Sequence, residues 1–384
     1  MAIDVEGRGT AVSYQIICDC SVFGAGRIER LYNLWLDGAI SRRQARTCVF
    51  GTRPEVRVLS VQPPIVTDFA KPNTFLESAM KAKAILPFAF CLLSAGDASA
   101  WNLRGHMEIA AIAWDQLTPR AKARVSQLLR LNPDYDHWVE GFSSREKSKA
   151  AFTRAAGWAD DIKKKDDYTD DGEKPSGPDS ARNIGYRDKL MHRYWHYKDI
   201  PFSPDGTQTH DGPEPNAETQ IITFRNALAS EASDDVRSYD LVWLLHLVGD
   251  VHQPLHATSR FTQDLPDGDR GGNDVKLCEK PCRNELHAFW DNLFGTGTST
   301  RAAINAARKV DDAPAGSAAN EDVHAWIVES FELAKSDVYK PPIGVGGGPF
   351  TITDTYKRKA KAVANERAAI AGARLAKLLN NALQ

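Results

Sequence analysis

The chain has little of what marks a membrane protein or a protein that coats nucleic acid. None of its 384 residues lie in an apolar run approaching the ~20 residues that a spanning helix needs. There is no basic excess: 48 Lys and Arg stand against 50 Asp and Glu, a net charge of −2. Domains that hold polyanions on a broad Lys/Arg surface are clearly basic, so any phosphate affinity must come from a local site. Alternating apolar patterns of the kind strands need are scarce, and no internal repeat or low-complexity tract is evident. Cysteine is sparse at six residues, three of them Cys18, Cys20 and Cys48.

Residues 80–100 read MKAKAILPFAFCLLSAGDASA. Lys81 and Lys83 precede an apolar run over 84–93, and Ala98, Ser99 and Ala100 follow it. Those parts in that order predict a secretory signal peptide cleaved before Trp101. A buried core helix is the competing reading, and Pro87 in mid-run disfavours it. A signal peptide works from an N-terminus, so residues 1–79 are expected to be a non-native upstream extension or a disordered segment; a cytoplasmic prodomain is the rival. Export then makes the product secreted or periplasmic, with 101–384 as a single helical domain. Residues 1–100 hold 11 Lys/Arg and 9 Asp/Glu, which leaves the domain with a net charge of about −4. Cys91 departs with the signal, and Cys278 and Cys282 are expected to form one small-loop disulfide. A zinc clip, the alternative, would want two further soft ligands nearby.

From Trp101 onward the pattern is one of helices joined by polar loops, an all-α fold class. Ile109, Ile112 and Ala113 recur at helical spacing after His106. Leu117, Thr118 and Pro119 read as loop, N-cap and first-turn proline of a helix running through Leu129. Residues 163–180 and 201–215 are charged or Gly/Pro-containing and are expected at the surface. Two helices are expected between Ile221 and Gln253, the second over 239–253 with Leu241, Leu244, Leu245 and Val248 as a core stripe. Pro266, Gly268, Gly271 and Gly272 make 261–275 a turn-rich excursion with a small β-hairpin. A helix over 287–294, loops near 311–319 and 341–349, and a long helix over 355–383 complete the reading.

Two of these helices carry His and Asp four residues apart, His246 with Asp250 and His287 with Asp291, which sets each pair on one face. A rigid rod then offers imidazole nitrogen and carboxylate oxygen together, a ligand set that suits zinc. A single such pair is common as a surface ion pair. Two pairs, one beside Trp243 and Leu247 and the other beside Phe289 and Trp290, would bury charge at high cost unless it is paired or metal-bound. Pro254 ends the first helix and turns His256 back toward the same point. His252 competes for that role but is expected to point elsewhere. His106, Asp160 and His196, taken singly, are only candidate ligands, since a histidine or aspartate beside a tryptophan is more often a capped or hydrogen-bonded core residue.

Trp101, Gly105 and His106, Trp158-Ala159-Asp160, Trp195-His196-Tyr197, the His246 to Asp250 and Gln253 to His256 motifs, Gly271-Gly272-Asn273-Asp274, and His287 to Asp291 together form a highly specific set. In this order they resemble the zinc-dependent single-strand nucleases typified by mung bean nuclease and its fungal and plant relatives, over essentially all of 101–384. The resemblance implies a multi-helix zinc-hydrolase fold, shared with zinc phospholipase C, around three Zn2+. By motif, Asp160, His196, His246 and Asp250 would hold one ion and His256, His287 and Asp291 a second. His106, Asp250 as a bridge, and the amino group and carbonyl of Trp101 would hold the third. An amine ligand requires Trp101 to be a chain terminus, which the expected cleavage supplies; an α-amino pKa of roughly 7.7 to 8.0 lets a metal displace its proton near neutral pH.

The implied activity is hydrolysis of phosphodiester bonds in single-stranded DNA and RNA, with 3'-nucleotidase activity. In that reading Asp160 orients the attacking water and Lys163 steadies transition-state charge; Lys163 reads equally as the start of a solvated lysine run through Lys165. Three Zn2+ against Asp160, Asp250 and Asp291 leave a local positive excess that the net charge does not provide. Tyr197, Asp199 and Asn292 match positions that contact a nucleobase, and an aromatic platform favours unpaired bases. Tyr197 reads equally as core. Nucleic acid and nucleotides are the implied partners, as substrates of a monomer that is not embedded in a membrane. Two alternatives stand: a zinc phospholipase C, which has Glu where this chain has Asp291, and a non-catalytic, zinc-stabilised exported protein.

Overall fold

The computed structural model describes residues 101–175, 177–278 and 284–384. The expectations for 1–79, for the signal peptide at 80–100 and for the Cys282 end of the disulfide fall outside the described residues. Within them the helices are α1 Leu103–Gln116, α2 Pro119–Leu129, α3 Tyr135–Trp138, α4 Lys147–Ala155, α5 Trp158–Asp161, α6 Ala217–Leu228, α7 Asp234–Asp250, α8 Leu286–Asp291, α9 Thr300–Ala307, α10 Ala315–Ala319, α11 Val323–Leu333 and α12 Asp354–Ala382. No helix among the described residues is long and apolar enough to cross a membrane.

The helices begin where local chemistry says they should. Thr118 accepts from the Ala121 N–H ahead of Pro119 at the start of α2, Ser233 accepts from Val236 at the start of α7, and Asn216 forms a reciprocal capping box with Thr219 on α6. Each such cap satisfies an amide that the first helical turn would otherwise leave orphaned.

The predicted core stripe on α7 proves to be only part of its buried surface. Every residue from Ser238 to Asp250 is buried, because α1, α2, α5, α6 and α12 pack around it. A helix enclosed on all sides is apolar all round, and each of its large apolar side chains contributes about 1.5–3 kcal/mol. α7 also ends at Asp250, and residues 251–253 form a turn in which the His252 Nδ1–H donates to the Val248 carbonyl at 2.7 Å while Nε2 meets an Arg374 guanidinium nitrogen at 3.0 Å. Both ring nitrogens of His252 are thus committed to Val248 and Arg374, as expected of a side chain that points elsewhere. Where a loop was expected near 311–319, Ala315–Ala319 form the short α10.

The strand expectation needs a larger correction. The sheet is not a hairpin at 261–275: β1 Ile200–Phe202 and β2 Thr258–Arg260 pair in parallel, with Ile200 opposite Thr258 and Phe202 opposite Arg260. Within the excursion only Thr262 and Leu265 bridge antiparallel. Gly268, Gly271 and Gly272 all adopt positive φ there, which breaks any ladder. The buried Asp269 organises the loop instead, accepting from the Arg260 N–H at 2.9 Å and the Tyr339 hydroxyl at 2.7 Å.

Candidate metal centre

The short sheet has one consequence for function: it clamps together two segments that each begin with a histidine. Lys198 N–H donates to the His256 carbonyl at 2.9 Å and Ile200 N–H to the Ala257 carbonyl at 3.0 Å. The His256 Nδ1–H in turn donates to the His196 carbonyl at 2.7 Å. α7 supplies His246 and Asp250 one turn apart, α8 supplies His287 and Asp291, α1 supplies His106 and α5 supplies Asp160. All eight side chains are buried.

They form three groups, the first two sharing His246, and within each group the donor atoms lie within 4.8 Å of one another: His106, Asp160 and His246; His196, His246 and Asp250; and His256, His287 and Asp291. Asp250 is the hinge between the first two, with Oδ1 3.3 Å from His106 Nε2 and Oδ2 3.1 Å from His196 Nδ1. The His106 and His246 rings stack with centroids 3.8 Å apart. Gly249 makes room for this, since a Cβ there would lie 2.8 Å from His106 Nδ1.

Whether these residues suit a cation is decided by the hydrogen bonds behind them. His246, His256 and His287 each donate Nδ1–H to a main-chain carbonyl, of Ala156, His196 and Gly271 respectively, all at 2.7 Å. A carbonyl has no hydrogen to give, so each neutral ring presents its Nε2 lone pair inward. Two of those lone pairs, on His256 and His287, face each other at 3.0 Å. Protonation would relieve that contact, but burial holds the His256 pKa well below its ordinary value, and the neighbouring His287 lowers it further. Burial likewise pushes the Asp250 and Asp291 carboxyls well above the usual range, with the Asp160 charge adding to both. Facing lone pairs and crowded carboxylates repel in a buried site unless a cation lies between them, and nitrogen with oxygen is the donor set of a borderline-soft divalent ion.

Asp160 differs from the other two carboxylates. Burial works against its charge, yet Lys163 and the surrounding histidines hold it well below the usual carboxylate range. Lys163 Nζ donates to Asp160 Oδ1 at 2.9 Å, and its side chain is only 3% exposed. Lys164 is exposed and Lys165 pairs with Asp134 at the surface, so the lysine run divides between site and solvent.

A family model described as S1/P1 nuclease matches residues 101–384. The chain belongs to the S1/P1 nuclease family. This S1/P1 nuclease is 24% identical to Endonuclease 2 of Arabidopsis thaliana over 302 residues, which cover 75% of the chain and 92% of that protein. It is 29% identical to Endonuclease 4 of the same plant over 141 residues, 32% of the chain and 45% of that protein. With Endonuclease 1 it shares 27% identity over 230 residues, 50% of the chain and 72% of that protein. Family membership places it among enzymes that hydrolyse phosphodiester bonds of nucleic acid, and it sides with the nuclease reading over the phospholipase one.

The other predicted residues differ in burial. Trp101 is fully buried with its ring edge-on to Phe294 at 5.1 Å, and the next amide, Asn102 N–H, donates to the Asp291 carbonyl at 3.2 Å. Tyr197 is half-buried against the core, and its hydroxyl donates to the Glu173 carbonyl at 3.1 Å. Asp199 is half-buried and has its carboxyl pushed up to about 7 by burial and the nearby Asp269 charge. Asn292 is exposed; its Oδ1 accepts from Asn102 Nδ2 at 2.6 Å and its Nδ2 donates to the Ala288 carbonyl at 2.7 Å.

Two supports were not singled out by sequence reading. Gln253 Nε2 donates to Asp291 Oδ1 at 2.9 Å; its place in the Gln253 to His256 motif was the available signal. His192 stacks on Trp195 with ring centroids 3.5 Å apart and lies 3.1 Å from the buried Asp188, stiffening the turn that carries His196. The spacing Asp188, His192, His196 was its only trace in the sequence.

Proposed function

We propose that this protein is an exported, zinc-dependent endonuclease that cleaves single-stranded DNA and RNA and removes 3'-phosphates from nucleotides. The observation that carries the reading is the gathering of five histidines and three aspartates, drawn from six separate segments, into three buried groups, in one of which the His256 and His287 lone pairs face each other. Asp160, His196, His246 and Asp250 would hold one zinc ion and His256, His287 and Asp291 a second. His106 and Asp250, with the amine and carbonyl of Trp101, would hold the third. The hydrogen bond from Asn102 N–H to the Asp291 carbonyl supports the place of Trp101 beside the centre, and its amine becomes available on cleavage before it.

When bound, the ions supply Lewis-acid charge for a phosphodiester and lower the pKa of water. The chain's own residues do the rest. Asp160, kept ionised by Lys163, would accept a hydrogen bond from the attacking water and so orient it. Lys163 brings a fixed positive charge to the centre for the phosphorane-like transition state. Tyr197 offers its ring to an unpaired base, and Asn292 retains one amide hydrogen and one oxygen lone pair for a base edge. Asp199 is a further base contact. Cys278 and Cys282 would close the loop between β2 and α8. The protein is taken to act as a monomer without a stable protein partner.

The test is to purify the secreted product, sequence its N-terminus, count its zinc, and assay single-stranded DNA, duplex DNA, RNA, 3'-nucleotides and phosphatidylcholine with and without chelator. Expected are a start at Trp101, about three zinc ions, chelator-sensitive hydrolysis favouring single strands, and no phospholipid cleavage. Nucleotide hydrolysis undiminished after the cations are stripped overturns the mechanism, and equal cleavage of duplex overturns the strand preference.

A further inference from the structure

Gln253 is fully buried at the turn that follows α7, and all of its polar groups are committed. Its backbone N–H donates to the Asp250 carbonyl at 2.9 Å. Its Oε1 accepts the Leu255 N–H at 2.6 Å, capping the 3-10 turn Pro254–His256. Because a main-chain N–H can only donate, the oxygen of the amide must lie at that end, and Nε2 is left to donate to Asp291 Oδ1 at 2.9 Å. Asp291 Oδ2 is thereby turned to His287, 3.5 Å from its Nε2, where the His256 and His287 lone pairs meet.

We propose that Gln253 is a positioning residue of the metal centre, selecting which oxygen of Asp291 is presented to the His256/His287 site and tying that site to the end of the helix that carries Asp250. The inference rests on the metal reading above. One residue contacts the segments that bear three ligands, Asp250, His256 and Asp291. A carboxylate with one oxygen occupied by an N–H donor binds through the other in a fixed orientation, whereas a carboxylate without that donor can rotate in its pocket. Outer hydrogen bonds of this kind typically change metal affinity about 10- to 100-fold.

The experiment measures zinc binding by the purified protein, dialysed against a series of buffered free-zinc concentrations and analysed for metal. Wild type, Gln253→Met, Asp291→Ala and the double variant are compared; Met has nearly the shape of Gln without its donor and acceptor. Gln253→Met is expected to weaken one site about 10- to 100-fold, to leave occupancy of the others at the wild-type level, and to add nothing in the Asp291→Ala background. A wild-type binding curve for Gln253→Met overturns the proposal, and so does a further loss in the Asp291→Ala background, which marks a general structural role. Should Gln253→Met not fold by circular dichroism, Gln253→Asn carries the same outcomes, because its amide is too short to reach Asp291. No nucleic acid enters the measurement, so normal zinc binding without hydrolysis would sink the nuclease reading and leave this one standing. A wild type that binds no zinc overturns both.

Discussion

α7 and α8 present the same His and Asp spacing and hold it by different means. α7 has 17 residues and is buried from Ser238 onward, so His246 and Asp250 are placed by the packing of a core shaft. α8 has six residues and no side-chain N-cap, far below the length at which a helix stands alone. Its ligands are held by tethers from elsewhere: the Gly271 carbonyl on His287, Gln253 on Asp291, and Asn102 N–H on the Asp291 carbonyl. The loop bearing Gly271 is itself anchored by Asp269, Arg260 and Tyr339, with the Arg260 guanidinium 4.4 Å from the Tyr339 ring centre. A preorganised ligand therefore needs rigid neighbours, and a rigid element of its own is only one way to have them.

The comparison is broken most directly at the ligands. Asp250→Ala removes a member of one group that also lies 3.3 Å from His106 of a second and is expected to lower kcat/KM by more than about 10³-fold while releasing more than one zinc per chain on metal analysis. His287→Ala belongs to one group; activity should fall to background with loss of a single zinc. Equal zinc losses would show that the two helices do not serve separable sites.

Smaller effects sharpen it. Gly271→Ala places a Cβ 2.3 Å from the Leu255 carbonyl at a φ of +60°, which displaces the tether of His287. Activity should drop about 10- to 100-fold, with stability lower by about 1–3 kcal/mol in thermal unfolding. Gly249→Ala on the core helix is expected to divide the two readouts. Alanine's helix preference, worth about 1 kcal/mol, offsets part of the clash with His106, while activity falls about tenfold; wild-type activity would show that α7 yields where it is argued to be stiff.

Asp240, also buried on α7, has among the described residues only the Asn183 amide hydrogen-bonded to its carboxyl, and burial raises its pKa to about 8 against the pull of that hydrogen bond. A carboxyl raised in the folded state costs nothing below its unfolded pKa of about 3.9 and destabilises increasingly as pH climbs toward its folded value. Asp240→Asn should therefore add about 1–3 kcal/mol at pH 7–8 and nothing near pH 4, as read from unfolding at the two pH values. The smallest change belongs to Tyr197→Phe. Its hydroxyl is already spent on Glu173, so kcat/KM on single strands should move less than about threefold.

The legible part of the fold was local. Thr118 with Pro119 announces a helix start because capping is settled within four residues, whereas α7 begins at Asp234, five residues ahead of the expected 239, behind the Ser233 cap. The two His and Asp pairs announce a shared face because helix pitch fixes it. The excursion at 261–275 is turn-rich as its glycines and proline imply, but the strand pairing lies elsewhere, because turn residues mark where a chain bends and carry no statement of which distant segment pairs with which strand. The lysine run shows the same limit, since three identical neighbours have one local description and only Lys163 meets Asp160.

What the sequence determined by itself was the helical class, the motif set that marks the family, and which side chains are chemically fit to bind a cation. What only the tertiary structure decided was that they meet. His106, Asp160 and His196 approach the α7 pair through contacts spanning 50 or more positions, and the parallel pairing of β1 with β2 draws His256 to His196. Such contacts depend on how whole faces pack, and burial then gives them meaning by fixing each tautomer and removing the water that would otherwise screen the facing lone pairs.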